Sequence, residues 1–223
     1  MPNQFLRLER FEEYKGRLEP PSGFAGGRVA YLDAIVHHYV PDEAVRLAGL
    51  ETGQYHVAIN VTLDQYPLFV NHPAVRPRLS FQTWPCANFN KLQGPMTDLR
   101  IRQAFVAAID VHQVAAALGP PEFIQTDPGI WWPGTPWHSD AGAEVYYEYN
   151  PEKARRLLQE AGYSGQPIRW LVDPSNPQYY IPALVAKPML EQVGFNIELV
   201  PVDSVTLVSL RGDPNRMDVF SCE

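Results

Sequence analysis

Hydrophobic positions fall into their clearest order from residue 150 onward. In "NPEKARRLLQEAGY", Asn150 is a helix cap, Pro151 takes the first helical position, Ala154, Leu157, Leu158 and Ala161 form one apolar stripe, and Gly162 stops the helix. The run "IRWLV" then reads as a strand, residues 181–193 as a helix ending at Gly194, "NIELVPV" as a strand, 203–211 as a helix and "MDVFS" as a strand. Asp203 is the N-cap of the last helix. Three strands joined by two helices form a doubly wound parallel segment. Ligands of such sheets sit beyond the carboxyl ends of the strands, here near Asp173, Pro201 to Ser204, and Cys222 to Glu223.

The earlier half is less regular. Residues 28–40, rich in β-branched and aromatic types, predict a strand that ends at Pro41. "PDEAVRLAGLETG" follows as a helix capped by Asp42 and stopped by Gly53, and "YHVAIN" as a second strand, most simply paired in parallel with the first. Prolines punctuate 67–95 around the strand candidates "RLSFQTW" and "CANFN", as in a connection between two bodies. "MTDLRIRQAFVAAID" predicts a helix capped by Thr97 or Asp98, with Ile101, Ala104, Phe105 and Ala108 on its buried face. Arg100 lies where the helix dipole disfavours a cation, so a carboxylate such as Asp98 or Asp110 is expected beside it. The irregular stretch 119–149 is long enough to be a shaped surface.

Composition narrows the function. The 223 residues are 45% hydrophobic and 19% charged, with a net charge of −7, so a real core is available and no basic field exists to hold nucleic acid. No apolar run is long enough to span a membrane, and the N-terminus lacks the apolar core of an export signal. Two cysteines without CxxC spacing suggest neither a zinc ribbon nor a redox motif. His37 and His38 point to opposite faces of a strand, and His138 with Asp140 is too sparse a set, so no metal or other cofactor is expected. GxSxG, HExxH, P-loop and GxGxxG patterns are all absent, which argues against an enzyme.

Five segments in order carry a resemblance: "RFEEYKG", "AYLDAIVHHYVPDEAVRLAGLETGQYHVAI", "NFN" followed by "MTDLRIRQAFVAAID", "YNPEKARRLLQEAGY" and "VGFNIELVPVDSVTLVSLRGDPNRMDV". Together they resemble the peptide, nickel and opine class of extracellular solute-binding proteins of ABC importers, family 5. That resemblance implies an α/β, type II periplasmic-binding-protein-like, two-lobed architecture with parallel or mixed sheets flanked by helices. Relatives are more than twice as long, so the resemblance implies a fragment lacking both ends: residues 1–85 part of lobe I, and 86–223 the first part of lobe II. It further implies a periplasmic or extracellular receptor for a small solute, foremost a peptide, that serves an ABC permease without inserting in the membrane. Opines, nickel chelates and oligosaccharides are alternatives, as is a structural or interaction module that binds nothing. Half a cleft cannot desolvate a ligand from both sides, so weak or no binding is expected of these residues alone.

The same resemblance nominates ligand contacts, each with a plainer structural role beside it. Asn60, Val61 and Thr62 end the "HVAIN" strand at the cleft, or simply turn. Phe81, Trp84 and Asn88 surround the crossing strand; Trp84 offers apolar area and one donor, or packs the hinge. Arg211 is suited to a terminal carboxylate, or to the helix C-terminus it occupies. Ser204 and Ser221 face the cleft by the same alignment. Cys86 and Cys222 match positions that some relatives join by a disulfide, against two buried thiols. Trp131, Trp132 and Trp137 are either a sugar or peptide platform or indoles packed on a lobe surface.

Overall fold

The 150–222 pattern turns into structure almost element for element. The computed structural model describes residues 4–22, 25–78, 85–121, 123–131 and 133–222, which form two units, Met1–Pro77 and Arg78–Glu223.

Unit 2 is built on a four-stranded sheet of β3 (Cys86–Phe89), β6 (Val219–Cys222), β4 (Pro167–Val172) and β5 (Asn196–Pro201), in that order. β4 pairs in parallel with both β5 and β6, whereas β3 runs antiparallel to β6. The expected parallel segment is therefore present, with β3 added on one edge. The crossovers are α7 (Pro177–Val193) and α8 (Ser204–Leu210), and α3 (Leu99–Ala107), α4 (Val111–Ala116), α5 (Ala143–Tyr146) and α6 (Pro151–Glu160) complete the unit.

The caps explain where these helices begin. Asn150 accepts from Lys153 N, Asp203 from Thr206 N, and Asp98, not Thr97, from Arg100 N. Asp98 also pairs with the Arg100 guanidinium at 2.6 Å, which supplies the counter-charge required at that helix start and holds the Asp98 carboxyl below its usual range. Arg102 donates to Met96 O and Thr97 O, so both arginines serve the helix terminus. α7 begins four residues earlier than the sequence pattern indicates, at Pro177 behind the Asn176 cap, and runs on through Pro182 and Pro188 to Gly194 at φ 112°. Proline removes a hydrogen bond from a helix interior; here burial of Ala183, Ala186, Leu190 and Val193 against the sheet outweighs that loss.

Phe105 sits at the centre of the core. It is 2% exposed and meets Phe89, Trp170 and Phe195 at centroid distances of 5.2, 5.5 and 5.7 Å. At the amino end of β6, buried Asp218 accepts from Arg169 N and Nε, both at 2.9 Å, while Asp218 N donates to Arg169 O. The Asp218 carbonyl accepts from Asn90 N, and the Asn90 amide in turn donates to Pro214 O and Met217 O. Gly94, at φ 75°, brings the chain so close that a Cβ there would lie 2.6 Å from Asp218 Oδ1.

Unit 1 departs from the sequence expectation. Its strands are β1 (Phe5–Glu9) and β2 (Ala34–His38), paired antiparallel; the strand expected over 28–40 is confined to its last part. "YHVAIN" forms no strand, so the expected parallel pair is absent. Tyr55 N instead donates to Gly49 O, in the helix α1 (Glu43–Glu51), and Asn60 O accepts from Arg46 of that helix. A run of β-forming residues without a neighbouring edge has no ladder to join, and β2 has taken "FLRLE" as its partner. The short helix α2 (Tyr66–Phe69) closes the unit, and Leu47 and Phe69 are its buried apolar side chains among the described residues.

Replacing Asp218 by Ala leaves the Arg169 guanidinium and amide without their partner. Since Arg169 can reach water, the cost expected is about 3 kcal/mol, at the low end for a broken buried pair. Urea unfolding of Asp218→Ala and of the wild type, followed by circular dichroism, measures it; a loss under about 1 kcal/mol would show that the pair is not a structural anchor.

Candidate functional site

The carboxyl ends of β4, β5 and β6 share one rim of the sheet, and because β3 is antiparallel to β6 its first residue, Cys86, joins them there. Asp173, immediately after β4, is 3% exposed. Its Oδ1 accepts from Ser175 N at 2.9 Å and from Ser175 Oγ at 2.7 Å, and its Oδ2 accepts from Ser204 Oγ. One carboxylate thus ties the β4–α7 turn to the start of α8. Burial pushes the Asp173 carboxyl up, but the bonds from Ser204 and Ser175 together outweigh it and hold the group below the usual carboxylate range.

Next to this turn, Trp170 Nε1 donates to Ser221 Oγ at 2.9 Å, and Ser221 is 5% exposed. Asn88 is half-buried and donates from Nδ2 to Cys86 Sγ at 3.2 Å. Cys86 and Cys222 are direct register partners across β3 and β6, as are Ala87 and Ser221; the Cys222 side chain lies outside the described portion. Ser204, Cys86 and the Cys222 backbone therefore come to one rim, and Ser221 and Asn88 lie just inside it on opposite faces of the sheet, since Ser221 pairs with Ala87 and Asn88 with Phe220. Asp173 is the group that sequence reasoning located at this rim without assigning it a task, and its buried position between two serines emerges only from the fold.

Other nominated residues lie elsewhere. Arg211 is exposed at the C-terminus of α8, about 10 Å along the helix axis from Ser204 at 1.5 Å per residue, so it does not join the two serines. Asn60, Val61 and Thr62 belong to unit 1, where Thr62 N and Oγ1 both donate to Glu43 at 2.7 and 3.1 Å. Phe81, Trp84 and Trp132 lie outside the described residues. Trp131 and Trp137 are 55% and 67% exposed, with ring centroids 5.7 Å apart. The base of their loop is closed by His138 Nε2 and Asp127 Oδ2 at 3.0 Å, whereas Asp140, the carboxylate paired with His138 by sequence proximity, stands at 3.8 Å. Among the described residues no three His, Cys, Asp or Glu side chains are grouped to hold a metal ion.

Residues 1–220 match the family described as bacterial extracellular solute-binding proteins, family 5 Middle. The chain is 28% identical over 230 residues to the "Probable peptide ABC transporter periplasmic-binding protein y4tO" of Sinorhizobium fredii, covering 97% of this chain and 42% of that one. Among solved structures, AgaA of A. tumefacien R10 in complex with agropinic acid superposes with TM-score 0.72 at 21% identity, over 100% of this chain and 43% of that one. DppA of Helicobacter pylori in complex with the peptide STSA gives 0.71 at 17% identity, over 99% and 40%. The chain spans about two fifths of the length of these relatives, and the structural likenesses bear on the fold.

Ser204→Ala removes a donor to a buried carboxylate and is expected to cost about 1–2 kcal/mol at pH 7. Because the folded Asp173 carboxyl is held below its unfolded value, that contribution is present above the ordinary carboxylate range and is lost as the pH falls through the depressed folded value. Denaturant titrations of both proteins from pH 7 down to pH 3 should show the difference shrinking; a constant difference would mean that the hydroxyl acts through packing.

Proposed function

The chain belongs to the bacterial extracellular solute-binding proteins, family 5, and on that premise we propose that it supplies the middle portion of a receptor that captures a small solute outside the cytoplasmic membrane. The solute passes to an ABC permease, and no reaction is catalysed. The match over residues 1–220 carries this reading. The sheet, parallel to mixed and flanked by helices, is that of the type II periplasmic-binding-protein-like α/β architecture.

In this reading residues 1–85 are part of lobe I and 86–223 part of lobe II. Within lobe II the solute contacts are Ser204, Ser221 and Asn88, a polar wall where β4, β5 and β6 end; within lobe I they are Asn60 and Val61. Phe81 and Trp84 supply apolar contact. Ser204 donates to Asp173, so its hydroxyl is left as an acceptor, whereas Ser221 accepts from Trp170 and keeps its own O–H donor; the two suit a ligand that brings both N–H and C=O groups. Arg211 keeps the helix-terminal role that the dipole favours.

A peptide fits such a wall, since its backbone carries alternating donors and acceptors and its ammonium terminus adds further donors. The name of y4tO and the peptide in the DppA complex support this class. An opine is the second reading, supported by the agropinic acid complex of AgaA at equal structural likeness. Calorimetry on the complete gene product with tetra-alanine and with agropinic acid separates them. Micromolar or tighter binding of tetra-alanine is expected; binding of agropinic acid alone would transfer the assignment to opines, and binding of neither would remove the support for both.

We further propose that Cys86 and Cys222, register partners on adjacent strands, form a disulfide once the protein is exported to an oxidising compartment. In the chain-entropy picture, closing so long a loop stabilises by roughly 4–5 kcal/mol. Intact-mass measurement of protein prepared without reductant should show a species lighter by the two thiol hydrogens, with a lower melting temperature after reduction. Full alkylation of both cysteines in unreduced, exported protein would end the proposal.

A further inference from the structure

Among the described residues, Asn60 is the one non-glycine residue with positive φ, at 54°. Asparagine tolerates this left-handed conformation better than most residues, but it persists only where neighbours enforce it. Two charged side chains of α1 do so. Arg46 Nη2 donates to Asn60 O at 3.3 Å, while its Nη1 donates to Val40 O and Pro41 O, both at 2.8 Å. One turn earlier, the Glu43 carboxylate accepts from Thr62 N at 2.7 Å and from Thr62 Oγ1 at 3.1 Å. The guanidinium holds this geometry at a cost, because its Nε is buried without a hydrogen-bond partner among the described residues.

Residue 61 is thus bracketed. The carbonyl before it is held by a cation and the amide after it by an anion, both from successive turns of one helix. The hydrogen-bonding groups of Thr62 that could reach a solute as donors are consumed by Glu43. The Asn60 side chain and the Val61 peptide groups enter no hydrogen bond with another described residue.

We propose that Glu43 and Arg46 are positioning residues that present the Asn60 side chain and the Val61 peptide as the solute-binding edge of unit 1, and that Thr62 is their latch and not a solute contact. This rests on the receptor reading above. Its chemistry suits a ligand with a main-chain amide, able to exchange one donor and one acceptor with Val61. The bond to Thr62 N is charge-assisted, so the neutral isostere keeps the geometry with a weaker grip.

The test compares Glu43→Ala, Glu43→Gln, Arg46→Lys and Thr62→Val with the wild type in the complete gene product. Hydrogen exchange reports the Thr62 amide, and calorimetry with tetra-alanine reports affinity. Glu43→Ala should speed exchange at Thr62 and weaken tetra-alanine binding by about tenfold, with Glu43→Gln recovering most of both. Arg46→Lys, which cannot span three carbonyls in one plane, should weaken binding without altering exchange in unit 2. Thr62→Val, which removes only the hydroxyl, should lose less affinity than Glu43→Ala. Faster exchange in Glu43→Ala with unchanged affinity would overturn the positioning role, and so would unchanged exchange. A loss in Thr62→Val equal to that in Glu43→Ala would make Thr62 a solute contact. If the wild type bound neither tetra-alanine nor agropinic acid, the receptor reading would fail and take the positioning role with it, whereas the exchange data would still decide whether the latch exists.

Discussion

A single carboxylate decides how the main sheet is put together. Asp218 lies between β4 and the turn that follows β3, with Arg169 filling its oxygens and Asn90 its carbonyl. A buried charge is tolerable only when paired and hydrogen-bonded, so the pair fixes the height at which β6 enters the sheet. That height sets the register of Trp170 with Val219 and of Cys86 with Cys222. The carboxyl-end rim is therefore specified from the other end of the strands. Gly94 is required because the returning chain passes too close to Asp218 Oδ1 for any side chain.

At the rim the same logic repeats with neutral partners. Asp173 is buried like Asp218, but its oxygens are filled by Ser175 and Ser204 instead of a guanidinium. The rim so gains a fixed shape without a compensating positive charge at its surface.

Much of unit 2 was legible in the sequence. Caps at Asn150 and Asp203, the stripe of Ala154, Leu157 and Leu158, and the β-branched runs between helices are local signals, and each produced its element. The early start of α7 was hidden because Pro182 and Pro188 read as breakers while their helix is held by tertiary packing. Unit 1 was less legible because a strand is defined by its partner: "FLRLE" alternates apolar and charged residues and found an edge in β2, whereas "YHVAIN" found none. Of the candidate site, Ser204, Ser221 and Asn88 were placed by resemblance to one family. Asp173 with its two serines, Arg169 with Asp218, and Glu43 with Thr62 are separated by 2 to 49 residues, and only the longer-range members of that set are beyond any local pattern. His138 was read beside Asp140 because the two are near neighbours, yet the loop brings Asp127 closer.

The distribution of indoles follows from the same architecture. Trp170 is locked inside the sheet with its ring nitrogen on Ser221, whereas Trp131 and Trp137 stand together in water on a pinned loop. Among the described residues the indoles consequently fall into two environments. A collisional quencher such as acrylamide can reach the loop pair but is kept from Trp170 by its burial, so a shielded indole stands one hydrogen bond from the rim.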